Sequence, residues 1–331
     1  MPVDAAASQA SPDAHVFCAD DFDLGSLCAR KGDIKVSVCL PARNEESTVG
    51  PIVETIVSHF MPGPDAVSPG TDIPAARACI ADPRTASPVS LVDELVVIDD
   101  GSTDSTAAAA AAAGAKVVAV SELLPEAGIG SGKGNAMWKS VAAVSGDVIV
   151  WIDADLTSFT PSYVLGLLGP LLCDPKIAMV KGFYERRGEA GASGGRTTEL
   201  MARPLLSTFF AELSFIRQPL GGEYAVRREF VEQVPFAQGY GVETGLLIDL
   251  ARLVGTDRIA QVDLGVRTHR NRPLSALAAQ SMEVLHAVLH RIDVRRRPEL
   301  STVLQRPDSP PVQIRTAERP PLVRTPGYRR T

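Results

Sequence analysis

Four short apolar runs, spaced along the first half of the chain with helix signals between them, constrain its fold more than any other feature. They are residues 34–40 (IKVSVCL), 94–100 (ELVVIDD), 116–120 (KVVAV) and 146–151 (GDVIVW). Runs this short and this rich in Val and Ile read as strands. Between the first two, Asn44, Glu45 and Glu46 precede Val49, Ile52, Val53 and Ile56 at helical spacing, an acidic first turn followed by an apolar stripe. Gly101-Ser102-Thr103-Asp104 supplies a turn and a cap ahead of the alanine run at 107–113, and a glycine-rich loop from Gly128 to Gly134 leads into a helix through Met137 and Val141. Strands alternating with helices predict an α/β fold, a doubly wound, mainly parallel sheet that binds ligands at the carboxyl ends of its strands. Pro41 is expected to end the first strand.

The rest of the chain is less regular. Residues 1–33 form an acidic leader, expected to be partly ordered. The stretch 61–90 is rich in Pro, Gly, Ala and Ser and reads as an insertion. After residue 175 the pattern loosens into mixed α+β, which divides the body into 34–175 and 176–293. From 294 onward Pro and Arg dominate, and this tail is expected to be disordered.

A chain of 331 residues can bury a substantial core, and a net charge of −6 argues against a nucleic-acid binder that works by neutralising phosphates. Five cysteines, odd in number and without CxxC spacing, fit reduced thiols better than zinc or a disulfide framework. No lysine or arginine precedes Arg30, unlike a secretory signal, and no run of 18 apolar residues suggests a membrane span. A cytoplasmic protein is the expectation.

Chemistry is signalled where the strands end. Trp151-Ile152-Asp153-Ala154-Asp155 delivers two carboxylates at i and i+2, which share a side because strand side chains alternate. Convergent carboxylates suit a hard divalent cation; helix capping is the other reading of an isolated Asp-x-Asp. In the glycine loop, Lys133 fails both the Walker pattern and the dinucleotide fingerprint. It either reaches an anionic ligand from the turn or is a solvated lysine. His286 and His290 stand at i and i+4, but no acid or cysteine accompanies them in register, and a helix face explains them better than a metal pair.

Taken in order, Leu40-Pro41-Ala42-Arg43-Asn44-Glu45-Glu46, Val97-Ile98-Asp99-Asp100-Gly101-Ser102-Thr103-Asp104, Gly132-Lys133-Gly134-Asn135-Ala136 and Asp153-Ala154-Asp155 resemble the motif set of GT-A glycosyltransferases. Downstream, Gly194-Gly195-Arg196-Thr197-Thr198-Glu199-Leu200, Gly222-Glu223-Tyr224, Gly239-Tyr240-Gly241-Val242-Glu243 and His269-Arg270-Asn271-Arg272-Pro273 resemble the actinobacterial glucosyl-3-phosphoglycerate synthases. The resemblance covers about residues 34–293.

It implies a GT-A fold whose first half binds the nucleotide sugar and whose second half binds the acceptor. Pro41, Ala42, Arg43, Glu45, Asp99, Asp100 and Lys133 would line the nucleotide side, with Asp153 towards the ribose. Asp155 and His269 would hold Mg²⁺ or Mn²⁺. Gly195, Arg196, Thr198, Gly222, Tyr240 and Asn271 would meet the substrates, and a helix start with an arginine fork is a fitting site for a phosphate. Arg267 and Arg272 either assist the acceptor or face solvent. Glu243 would lie near the transferred glucose, as a positioning group or, in a double displacement, as the nucleophile. The implied reaction is retaining transfer of glucose from UDP-glucose to the 2-hydroxyl of D-3-phosphoglycerate, an early step of methylglucose lipopolysaccharide synthesis, by a homodimer. Two alternatives share the upstream motifs: an inverting GT-A enzyme using a polyprenyl phosphate, and a nucleotide-sugar sensor without turnover.

Overall fold

The computed structural model describes residues 15–61, 90–187, 195–268, 274–292, 303–306, 309–313 and 315–329. The expected insertion falls outside them apart from its two ends, as do His269 and Asn271.

The chain begins with β1 (Val16–Cys18) and α1 (Leu24–Lys31), capped by Asp23, whose carboxylate accepts from Ser26 N at 2.9 Å. The predicted alternation follows as β2 (Val36–Ala42), α2 (Val49–Phe60), β3 (Glu94–Asp99), α3 (Thr106–Ala112), β4 (Lys116–Ala119), α4 (Lys133–Ala143), β5 (Val148–Trp151) and α5 (Pro161–Cys173). Beyond residue 175 come β6 (Met179–Arg187), α6 (Arg203–Phe209), β7 (Tyr224–Arg227), α7 (Arg228–Val231), β8 (Phe236–Ala237), α8 (Val242–Val254), β9 (Ile259–Thr268) and α9 (Leu274–Leu289). Three short strands close the chain: β10 (Val303–Arg306), β11 (Ser309–Gln313) and β12 (Glu318–Arg319).

One eight-stranded sheet, ordered β1-β9-β6-β7-β5-β2-β3-β4, crosses the boundary expected near residue 175. All its pairings are parallel except those of β7, which runs against both β5 and β6. Helices cover both faces, so the central strands carry apolar residues on both sides and the side-chain period of two sorts them between two cores. Val36, Val38 and Leu40 of β2 join Ile52, Val53, Ile56, Leu167 and Leu171 on one face. Cys39, Ile149 and Trp151 join Met137, Trp138, Val141, Leu246 and Leu250 on the other.

Two expectations are corrected. Pro41 does not end its strand: it pairs with Ile98 inside β2, beyond Cys39↔Trp151, the last β2–β5 pair. Its missing N–H is tolerated where one neighbouring strand has already stopped. The tail is not disordered over 315–329. Leu322 is fully buried, Trp138 Nε1 donates to Pro320 O at 2.9 Å, and β12 pairs with β8.

Candidate active site

Parallel strands point their carboxyl ends to one edge of the sheet, and the acids of β3 and β5 gather there. Asp99 Oδ1 accepts from Ser102 N at 3.1 Å, closing the turn after β3. Burial raises the Asp100 carboxyl above its usual range, and Arg43, 3.8 Å away, opposes that rise. Pro41 and Ala42 end β2 beside them. Glu45 N donates to Thr106 Oγ1 at 2.8 Å, tying the α2 approach to the start of α3. The loop after β5 is pinned by Thr48 Oγ1, which donates to Ala154 O at 2.7 Å and fixes the backbone between Asp153 and Asp155.

Lys133 opens α4, and its Nζ lies 2.6 Å from Asp153 Oδ1 and 2.7 Å from Glu243 Oε1. Burial alone would depress this ammonium, but the two carboxylates reverse the effect and hold its pKa well above the ordinary lysine value. Of its two readings, the solvated lysine is excluded. Glu243 is buried in the first turn of α8, and the turn before it is held by α9, where Glu283 Oε2 accepts from Tyr240 N at 2.7 Å.

The antiparallel strand β7 brings in a residue that sequence reasoning passed over. Because Trp151 faces Tyr224, the chain entering β7 meets the chain leaving β5, and Gly222 lies against Asp153. A Cβ on Gly222 would stand 2.2 Å from Asp153 Oδ1, so a larger residue there would have to push the Asp153 carboxylate aside. Glu223, fully buried, then faces Arg267 near the end of β9, with Nη1 2.8 Å from Oε1.

Arg267 does not face solvent, being 6% exposed. Its Nη1 also reaches Tyr184 Oη at 2.8 Å and Asp153 Oδ2 at 3.5 Å, while Nη2 lies 2.8 Å from Asp155 Oδ1. Burial raises the Glu223 pKa against the pull of Arg267; burial likewise works against the Arg267 charge, but Glu223 and its other neighbours keep the guanidinium firmly protonated. The Gly222-Glu223-Tyr224 motif could have flagged Glu223. Nothing local marks Arg267 off from its arginine neighbours.

Gly195, Arg196 and Thr198 lie at a helical start: Gly195 takes a φ of +92°, Glu199 N donates to Gly195 O at 2.9 Å, and Thr198 is buried. His286 is buried on α9 with its ring 5.9 Å from that of His290, in keeping with a helix face. Among the described residues no three His, Cys, Asp or Glu side chains gather into a metal site. The donors nevertheless fit an open one. The Asp155 side chain is 47% exposed, and Mg²⁺ takes only one or two carboxylates when substrate phosphates supply other oxygens.

The sequence profile of glycosyl transferase family 2 matches residues 84–232. The glucosyl-3-phosphoglycerate synthase of Petrotoga mobilis is 40% identical over 315 residues, 90% of this chain and 89% of that one. The chain belongs to the glucosyl-3-phosphoglycerate synthase family. The Mycobacterium tuberculosis member is 45% identical over 281 residues, covering 82% of this chain and 78% of its own. A crystal structure of the M. tuberculosis synthase in complex with Mn²⁺, UDP-glucose and phosphoglyceric acid superposes with a TM-score of 0.76 at 42% identity, over 91% of this chain and 95% of that one. The protein is thus a glycosyltransferase with the GT-A fold of the synthase structures. No described helix is long and apolar enough to cross a membrane.

Proposed function

We propose that this glycosyltransferase moves glucose from UDP-glucose to the 2-hydroxyl of D-3-phosphoglycerate with retention of anomeric configuration. The observation that carries the reading is the convergence of Asp153, Asp155, Glu223 and Glu243 on two buried cations, Lys133 and Arg267, at the carboxyl edge of the sheet. A relative that covers nine-tenths of the chain is named for the product, glucosyl-3-phosphoglycerate.

In this reading Pro41, Ala42, Arg43, Glu45, Asp99 and Asp100 take the uridine, since carboxylates accept from the base N–H and the ribose hydroxyls. Asp153 holds the ribose side, and Asp155 with His269 holds Mg²⁺ or Mn²⁺. The cation supplies Lewis-acid neutralisation of the leaving diphosphate. Gly195, Arg196 and Thr198 receive the acceptor phosphate through backbone N–H groups and a guanidinium fork, and Asn271 its carboxylate. Gly222 and Tyr240 border the sugar. Glu243 is a positioning group in this account: its carboxylate is already engaged by the Lys133 ammonium, which lowers its nucleophilicity and favours a route in which the departing diphosphate takes the acceptor proton.

Both substrates are phosphorylated and do not cross a bilayer unaided, which supports a cytoplasmic site of action in the early steps of methylglucose lipopolysaccharide synthesis. A homodimer completes the reading. Release of UDP from UDP-glucose, measured with and without D-3-phosphoglycerate and with Mg²⁺ or Mn²⁺ present, tests it: release should require the acid acceptor. Release that depends instead on a polyprenyl phosphate would favour the inverting alternative.

A further inference from the structure

Residues 315–329 are tied to the body at several points, and one of them reaches into the loop that carries Lys133. Leu322 is buried in the same core as Trp138 and Phe236. Tyr328 Oη donates to Glu232 Oε2 at 2.6 Å, and β12 lies antiparallel to β8. Glu318 accepts from Arg291 Nη1 at 2.7 Å. From this frame the Arg319 guanidinium, in a residue only 8% exposed, enters the glycine-rich loop. Nε donates to Asn135 Oδ1 at 3.0 Å, Nη1 to Ala127 O at 2.6 Å and Nη2 to Gly128 O at 3.2 Å.

Arg319 forms no ion pair among the described residues, so its fork is spent on loop carbonyls and one amide. Those are the groups that need it. Gly128, Gly130 and Gly132 give the loop large conformational freedom, Gly128 and Gly132 take φ of +74° and +81°, and Ile129 between them is fully exposed. A Cβ on Gly130 would lie 2.0 Å from Arg319 Nη2 and 1.9 Å from Asn135 Oδ1, so backbone and guanidinium are in close approach. Arg315 adds a hydrogen bond to Ser131 Oγ. The residue after Gly132 is Lys133, whose ammonium joins Asp153 to Glu243.

We propose that Arg319 is a positioning residue of the donor site: it fixes the 127–132 loop and thereby places Lys133 without touching substrate itself. The proposal rests on the reading of Lys133 and Asp153 as donor-side groups. Without the clamp the loop samples other conformations, and nucleotide binding must meet the cost of ordering it. The apparent donor affinity then falls in proportion to the fraction of chains with the loop in place. Among the described residues the Arg319 hydrogen bonds all go to 127–135 and none to the turn at 195–200.

Two measurements on full-length Arg319→Ala and Arg319→Lys test this. The first is hydrogen exchange without ligand, where amides 128–132 should exchange about tenfold faster in Arg319→Ala while β2 and β5 are unchanged. The second is calorimetric titration of UDP in the presence of Mn²⁺, where the Kd should rise about tenfold, with the KM for 3-phosphoglycerate within about twofold of wild type. Arg319→Lys, which keeps the charge but lacks the planar fork that spans the three acceptors, should fall between; it carries both measurements if Arg319→Ala does not fold. Unchanged loop exchange, an equal rise in donor and acceptor constants, or a lowered melting temperature alone would overturn the proposal. A wild-type chain that fails to bind UDP would instead refute the donor-side reading, while the exchange measurement still decides whether Arg319 holds the loop.

Discussion

The Lys133 ammonium lies 2.7 Å from the Glu243 carboxylate, whose side chain is 4% exposed. An acid already neutralised in this way is suited to orient the sugar and compensate charge, and poorly suited to attack it. Glu243→Gln keeps the shape and a hydrogen bond, and should lower kcat by about tenfold to a hundredfold, the loss of one charge-assisted hydrogen bond. Azide should not restore the rate. A loss of many orders of magnitude, rescued by azide with an inverted glucosyl azide as product, would make Glu243 the nucleophile.

Gly222 and Asp153 are in contact because β7 runs against β5. Gly222→Ala would put a methyl group 2.2 Å from Asp153 Oδ1, and the carboxylate would have to turn away from Lys133. We expect kcat/KM to fall by at least about tenfold, since small displacements of positioning groups are costly, with little change in the urea midpoint. Normal kinetics in this variant would show that the placement of Asp153 against the turn is not needed.

Lys181 is fully buried beside the site, donating to Gly221 O at 2.6 Å with its ammonium 4.5 Å from the centre of the Tyr224 ring. Burial brings its pKa down from 10.5 to about 8. Between those values the folded chain has released a proton that the unfolded chain still holds, so this residue makes stability rise with pH across that window. Cys39, raised from 9.0 to about 12 by burial, works in the opposite direction over the upper part of it. Wild type minus Lys181→Met isolates the lysine: the difference in unfolding free energy should grow in favour of wild type from about pH 8 to 10.5. A flat difference would mean that Lys181 keeps its proton when folded.

Leu322 anchors the C-terminal segment with no exposed surface. Leu322→Ala should cost about 2–5 kcal/mol, the usual range for a buried leucine, seen as a lower urea midpoint at an unchanged slope. A midpoint like that of wild type would show that the segment does not pack on the body in solution.

The fold was legible because each β2–β5 strand carries a short run rich in Val and Ile and each intervening helix has its own stripe, cap or run of helix formers. Asp153 and Asp155 were picked out as a strand-end pair, although β5 stops at Trp151 and both lie in the loop beyond it, so the loop and not strand alternation sets their directions. Glu223 and Arg267 were not, since an antiparallel strand and the end of β9 bring them to Asp153 and Asp155 from far along the chain, and sequence spacing carries no trace of that. The C-terminal segment misled because its Pro and Arg content reads as solvated. In the fold a single leucine fills the core, and Arg319 serves backbone carbonyls where an acidic partner would be expected. His269 and Asn271 lie outside the described residues, and their roles stay with the proposed function.

The central claim is the identity of the product. Purified protein with UDP-glucose, Mg²⁺ or Mn²⁺ and a panel of phosphorylated acids, followed by NMR of the isolated product, tests it most directly. The account predicts turnover with D-3-phosphoglycerate and an α-anomeric glucose on its 2-hydroxyl, since UDP-glucose is itself α-linked. A β-linked product, or transfer only to an acceptor that lacks the carboxylate or the phosphate, would contradict it.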